Sequence, residues 1–439
     1  MAPRTERNIT IEKLAHGGDG LAHLSDGRVV FVTGGVPGDV VDVRIVREKK
    51  TWARGHVAER HQESKARVPV ECEAFERQCG GCQFWGVDAA RELQWKVEAA
   101  WEAMKRISGL ALPSPTVVEA PSIRDYRSRV TYHQRQIGDR LVCGFFKAGT
   151  RQVVEVDTCP VARSAIDEAM AEVGGALSLV GAADITVETA ADDGGAVVLV
   201  TVRSGEPIQR DHLEVLAHRV EQGTAVRGIE LLDEKGEYVI IGDTTISAGE
   251  VLARPPAEGI RVKSGQFRQA NADVNRQLVD QVTQIVADGW ERPRVLELFC
   301  GAGNFSFPIA SVAEELVGYE ASSDAVETAR QIAELVEEVD NTRFEIADLT
   351  DEEVVAEALL EPFEVLLLDP PRDGAAEVAR QLVKSERQGQ LIYVGCDAAC
   401  LARDLKILSS GGWEVDSVTC FDMFPRTAHL ETVVVAEKL

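Results

Sequence analysis

At 439 residues the chain is too long for one compact core, and two or three domains are expected. Its net charge is −25, yet 45% of its residues are hydrophobic, enough for ordinary globular cores. No apolar run approaches the roughly 20 residues that span a bilayer, and the opening MAPRTERNIT lacks the apolar stretch of a secretion signal, so no membrane association and a cytoplasmic location are expected.

In chain order, residues 9–60 read as short β segments (9–15, 20–24, 28–34, 39–50 and 51–60) broken by the glycine turns 16–20 and 34–39. Such spacing predicts a small barrel of about five strands. Residues 1–69 carry a net +3 inside an acidic chain, and phosphate binding answers to the local field rather than the total. Residues 66–85 are irregular and cysteine-rich. The chain has nine cysteines, an odd number without an export signal, which favours metal ligation or catalysis over disulfides. A helix is predicted over 89–108, with apolar residues at 93, 97, 100, 101 and 104. Residues 121–151 hold seven cations (Arg124, Arg127, Arg129, Arg135, Arg140, Lys147, Arg151) against Asp125 and Asp139. That excess suits either an RNA-facing surface or a solvated strand face. Hairpins follow around 137–140, 191–195 and 234–237, making this block mixed α+β.

From about residue 290 strands and helices alternate regularly. Strands are predicted at 294–299, 315–320, 342–347, 363–369, 390–395, 413–421 and 430–439, with helices such as 322–338 and 400–410 between them. Near-continuous apolar strands with amphipathic crossovers specify a parallel sheet covered on both faces. The last two strands, joined without a helix, predict an antiparallel edge. Seven strands in this order indicate the class I methyltransferase variant of the Rossmann-like fold.

The first of these strands runs into Glu297-Leu-Phe-Cys-Gly-Ala-Gly-Asn304, where Gly301 and Gly303 let backbone approach a ligand at the carboxyl end of the sheet. The second ends in Glu320, placed to hold ribose hydroxyls, and the third near Asp348, placed for an adenine edge. No GxxxxGK[ST] loop is present, which argues against a nucleoside triphosphate. Together these features point to S-adenosylmethionine. The fourth strand stops at Asp369-Pro-Pro-Arg-Asp-Gly374, the two prolines fixing the acid at the rim. A carboxylate there accepts from an N–H such as uracil N3. The fifth strand ends at Cys396, before a helix whose free N–H groups favour a thiolate. The last hairpin carries His429 and Glu431, which strand alternation puts on one face. A thiolate, an acceptor carboxylate and a base suffice to alkylate C5 of uracil: Cys396 as nucleophile, Asp369 orienting the base, Glu431 removing the C5 proton.

These motifs, together with Phe267-Arg-Gln269-Ala-Asn271 and HLETVVV, resemble the bacterial RNA 5-methyluridine methyltransferases, specifically the 23S ribosomal RNA members with a TRAM domain and a 4Fe-4S cluster. The resemblance spans nearly the whole chain. It implies cofactor contacts at Gln269, Phe299, Asn304, Glu320, Asp348 and Asp369, with Cys396 as nucleophile and Glu431 as base. One departure is that family members usually follow the nucleophile with Asn-Pro, where this chain has Asp397-Ala398; an extra carboxylate there would raise the cysteine's pKa. Cysteines 72, 79, 82 and 159 form C-x6-C-x2-C…C; sequence alone leaves zinc and iron–sulfur open, and the resemblance implies 4Fe-4S. It further implies an OB-like TRAM barrel over 1–66 that touches RNA and a central α+β iron–sulfur domain over 67–260. The helix near 90–115 would pack on a methyltransferase domain over 261–439. The expected substrate is RNA, ribosomal before transfer RNA, and the expected state a monomer. The competing expectation is a ribosome-assembly protein that binds RNA without catalysis.

Overall fold

The computed structural model describes residues 4–190, 195–204 and 208–438. The 191–194 part of the middle hairpin's turn and the final residue of the last strand lie outside them.

The N-terminal sheet has six strands, in the order Thr5–Thr10, Val40–Glu48, Trp52–Gln62, Val29–Thr33, Gly20–His23 and Lys13–Leu14. The sequence reading expected about five. The extra one arises because the 9–15 segment breaks at Ile11, whose backbone N–H and C=O turn aside to Asp39 and Gly38. Ile11, Val30, Val32, Val41 and Val43 fill the interior. Asp39, fully buried, accepts from the N–H of Val36 and Ser64 and from Arg67, which closes the sheet against the chain leaving it.

The central sheet has seven strands, in the order Val153–Glu155, Arg140–Phe146, Arg129–Ile137, Ala183–Thr189, Ala196–Val202, Val226–Leu232 and Tyr238–Gly242. Helices Ser164–Leu177 and Arg210–Gln222 cover one face, burying Ile166, Val173 and Leu216 against Ile185, Val198 and Ile229. The basic excess of 121–151 is largely neutralised here. Arg124 pairs with Glu71, Arg129 with Glu188 at 3.1 Å, Arg135 with Asp184 at 2.6 Å and Arg140 with Glu155 at 3.1 Å. The partners lie on other segments, beyond the reach of a local charge count.

The C-terminal sheet has eight strands where seven were expected. Their order is Thr342–Ile346, Glu315–Glu320, Arg294–Leu298, Val365–Leu368, Gly389–Gly395, Glu431–Lys438, Glu414–Phe421 and Thr116–Val118. The eighth comes from far upstream and pairs parallel with Glu414–Phe421, so that strand is not the edge, and the last strand of the chain lies one place further in, between Gly389–Gly395 and Glu414–Phe421. Three short residues with two exposed side chains gave no periodic signal. The strand order reverses direction at Arg294–Leu298, between Glu315–Glu320 on one side and Val365–Leu368 on the other. That is the switch point at which doubly wound sheets bind ligands.

Leu296, Leu366, Leu368, Leu391 and Val434 face one layer, and Val295, Val365, Leu367, Ile392 and Val433 the other. Helix Ala272–Gly289 covers the second layer through Val274, Leu278 and Val282. Helix Ala89–Ser108 joins the first through Leu93, Val97, Ala100 and Met104, packed against Ala398–Ser410. The helix begins where Asp88 caps the Arg91 N–H at 3.1 Å, a contact worth about 1 kcal/mol, and ends at Gly109, whose φ of 75° a side chain would strain. No described helix is long and apolar enough to cross a membrane.

Candidate active site

The loop after the Arg294–Leu298 strand turns tightly. Phe299 holds a φ of 68°, and Gly303 a φ of 94° with the Phe307 ring 2.6 Å from where a Cβ would sit. Beside Gly301, by contrast, no atom lies within 4 Å of an added Cβ, which leaves room for a ligand against bare backbone. Glu320 faces this loop, accepting from the Gly301 N–H at 3.2 Å and the Ser322 N–H at 2.8 Å. Asp348 is exposed at the next strand end, its carboxylate held by the Thr350 hydroxyl and N–H and its pKa lowered by them. Both acids and the open backbone lie at the switch point, which suits the ribose and adenine of a nucleoside donor. Asn304 is engaged otherwise. Its Oδ1 accepts from the Ala253 N–H and its amide pairs reciprocally with Asn275, leaving one N–H for a ligand. Gln269 is half-buried two residues after the exposed Phe267, and its amide has no hydrogen-bond partner among the described residues.

Strand register builds the reactive centre. In the antiparallel ladder of Gly389–Gly395 with Glu431–Lys438, Gly395 pairs with Thr432. The ladder ends there: Cys396 is the next residue beyond one strand and Glu431 the first residue of the other, so both stand at the same end of the pair, where the Glu431 carboxylate acts on the thiol. Asp369 follows Leu368, whose strand lies alongside, so three of the predicted residues converge on one rim.

Their electrostatics agree with that convergence. Burial raises Asp369 to about 7, helped by Glu320. Glu431, 3% exposed, is pushed well above the ordinary range by burial and then by Asp369, while Arg372 pulls it down. Two carboxylates in one dry site cannot both ionise readily, so the pair retains a proton into the neutral range. Cys396 is pushed up to about 12 by burial, then by Glu431, with Arg372 opposing and Asp369 adding.

Asp397, suggested by the sequence to raise the thiol's pKa, is not among the main groups acting on Cys396 and has other partners. Its Oδ1 caps the following helix, accepting from the N–H of Ala399 and Cys400 at 2.9 Å each, and its other oxygen lies 3.6 Å from His16 Nε2. The carboxylate is thus held between the helix N-terminus and the glycine turn that carries His16. The reading of His429 is also corrected. It lies in the loop before the strand, exposed, whereas Glu431 is buried. Alternation does not apply because the strand begins at Glu431.

The alkylation rate of Cys396 by iodoacetamide, followed by peptide mass spectrometry, is expected to climb about tenfold per pH unit from 7 to 9.5 without levelling. An ordinary thiol near 8.5 levels within that range. Arg372→Ala is expected to slow it further at each pH; a plateau by pH 9 would contradict the raised pKa.

A second group of predicted residues gathers elsewhere. Cys72, Cys79, Cys82 and Cys159 line one cavity of about 370 Å³ with Trp85 and Arg127. Gly80 lets the chain wrap, since a Cβ there would sit 3.0 Å from the Ala148 backbone. All four are free thiols, and no three of their sulfurs lie within 4.8 Å of one another. Burial raises the pKa of Cys79, Cys82 and Cys159, a cost that coordination to a cation removes.

A family model described as tRNA (Uracil-5-)-methyltransferase matches residues 257–439, and a TRAM domain model matches 2–58. The 23S rRNA (uracil(1939)-C(5))-methyltransferase RlmD of Vibrio vulnificus is 32% identical over 435 residues, covering 98% of this chain and 96% of its own. The chain belongs to the RNA uracil-C5 methyltransferase family. The protein of the same description from Methylococcus capsulatus is likewise 32% identical, over 98% of this chain and 96% of its own. The crystal structure of Pyrococcus abyssi tRNA (uracil-54, C5)-methyltransferase with S-adenosyl-L-homocysteine superposes with a TM-score of 0.72. It covers 97% of this chain and 99% of that one at 21% identity, a likeness of fold.

For an RNA uracil-C5 methyltransferase, three features of the centre escaped the sequence. Arg372 was quoted within its motif without a role, yet it is the cation acting on both Cys396 and Glu431. Asp404, fully buried, fixes the Asp369–Gly374 turn by accepting from the Ala375 N–H and the Tyr393 hydroxyl, both at 2.8 Å. His16 comes from the N-terminal sheet, and nothing in sequence links it to residue 397.

Proposed function

We propose that this protein methylates C5 of a uridine in 23S ribosomal RNA from S-adenosylmethionine, through a transient bond between Cys396 and C6 of the base. The observation that carries the reading is that Cys396 and Glu431 meet at one end of the Gly389–Gly395 and Glu431–Lys438 ladder, with Asp369 and Arg372 acting on both. The relatives' names supply ribosomal RNA as the substrate class.

The donor supplies an electrophilic methyl group, held by Glu320, Asp348, Gln269, Phe299, the free N–H of Asn304 and the rim at Asp369. The Cys396 thiol gives its proton to solvent, and Sγ bonds to C6. The C5–C6 electron pair moves toward O4; on its return C5 bonds to the methyl carbon, whose bond to sulfonium sulfur breaks. Glu431 takes the C5 proton, the C5–C6 double bond re-forms and the C6–Sγ bond breaks. Burial suits Glu431 to this step, because a raised proton affinity makes a stronger base toward carbon. Asp369, once ionised, accepts from N3–H and fixes the ring.

We divide the chain into a TRAM barrel (1–66), a central α+β domain (67–260) and a methyltransferase domain (261–439), acting as a cytoplasmic monomer on RNA. Cys72, Cys79, Cys82 and Cys159 would hold a 4Fe-4S cluster. What supports a shared group is that all four thiols line one cavity of about 370 Å³. Anaerobically purified protein is expected to be brown, with iron and sulfide that Cys82→Ser removes; stoichiometric zinc would overturn the assignment.

Comparing 5-methyluridine across total RNA from cells with and without the gene tests the function. Loss at one 23S position is expected; loss confined to transfer RNA would move the substrate, and no loss would refute the reading.

A further inference from the structure

Glu431 is the first residue of its strand, and the segment that delivers it, 422–430, is a loop. Few of that loop's anchors belong to the methyltransferase sheet. Its centre is Arg426, 5% exposed, at a φ of 67° that a non-glycine residue adopts only when its surroundings impose it. The Arg426 carbonyl accepts from the N–H of Gln83 and Phe84, at 2.8 and 3.1 Å, directly after Cys82. Its guanidinium donates to the Val87 carbonyl at 2.6 Å, the Phe84 carbonyl at 3.3 Å and Glu92 at 3.0 Å, and Glu92 also accepts the Arg426 N–H. Lys96, one helical turn after Glu92 and equally buried, donates to Asp422 at 2.7 Å and to the Phe424 carbonyl at 3.3 Å. Two cations and two anions from distant segments thus meet in a dry interface. Removing Arg426 leaves Glu92 to Lys96 alone, 3.4 Å away, and leaves the Val87 and Phe84 carbonyls without that donor.

We propose that Arg426 is a positioning residue for proton abstraction, tying the loop that carries Glu431 to the cysteine-bearing segment and to helix Ala89–Ser108. The inference rests on Glu431 being the base. Proton transfer needs the carboxylate within hydrogen-bond reach of C5–H, so a small shift of this loop slows that step. Addition of Cys396 and methyl transfer use groups on other strands, and Glu431 enters them only through its charge beside the thiol. The substitution that frees the loop therefore separates the two halves of the reaction.

The test compares Arg426→Met, Arg426→Lys, Glu431→Gln and the unaltered protein, each in its full-length form. One assay follows covalent attack on a 5-fluorouridine RNA; the other follows turnover and covalent protein–RNA species on ordinary RNA. Arg426→Met is expected to attack within about threefold of the unaltered rate, to turn over at least tenfold slower and to accumulate covalent species. Arg426→Lys, which keeps the charge but cannot span the carbonyls and Glu92 together, is expected to fall between. Attack and turnover declining together in both variants would reduce Arg426 to a structural residue and overturn the proposal, as would unchanged turnover. If Glu431→Gln accumulates covalent species and Arg426→Met does not, this inference alone fails. If Glu431→Gln turns over normally, the base assignment fails and takes the inference with it.

Discussion

Replacing Cys396 by alanine is expected to lower methylation by at least 10⁴-fold and to abolish covalent capture of 5-fluorouridine RNA. Carbon-5 of uracil is a weak nucleophile, and in the proposed mechanism a sulfur–C6 bond activates it, so no neighbouring group substitutes. Cys400, one helical turn later and half-exposed, is the only thiol close in sequence, and it faces Asp397 and Arg403 rather than Glu431. Fluorine at C5 cannot leave as a proton, so the unaltered protein stops at the methylated adduct and remains attached to the RNA. Gel-shift under denaturing conditions reads that attachment. Its persistence in Cys396→Ala would remove the assigned nucleophile.

Glu431→Gln is expected to behave in the opposite way on ordinary RNA, building up a methylated covalent species while product release falls by 10³-fold or more. An amide has the carboxylate's shape but negligible basicity, so attack and methyl transfer proceed and elimination stalls. Burial disfavours a charge at this position, so a neutral amide of the same shape is expected to cost the fold little. Folding and catalysis therefore separate in this variant: an unaltered melting temperature with trapped RNA is the expected pair of readings. A variant that releases product at the ordinary rate would remove Glu431 from its role.

Much of the centre was legible because it is built from strand ends. Apolar runs at 294–298, 365–368 and 389–395 announce buried parallel strands, and whatever follows such a run lies at one rim. Asp369 and Cys396 were found that way, and Glu431 from its hairpin. Register, in contrast, was not legible: that Cys396 and Glu431 meet at one end of the ladder depends on which residue pairs with Gly395. Long-range electrostatics were hidden for the same reason. Asp397 looked like a threat to the thiolate from sequence adjacency, yet its oxygens turn to the helix N-terminus and to His16, some 380 positions away. The eighth strand, 116–118, and the Arg426 network share this character. Each joins short segments with no pattern of their own to partners hundreds of residues distant.

The most direct measurement is peptide mapping of the protein–RNA species formed with 5-fluorouridine RNA and isotopically labelled S-adenosylmethionine. Trypsin releases residues 388–403 as one peptide containing both Cys396 and Cys400. Fragmentation is predicted to place the nucleotide on residue 396, with the labelled methyl on its base. A nucleotide on residue 400, on another peptide, or lacking the label would contradict the account.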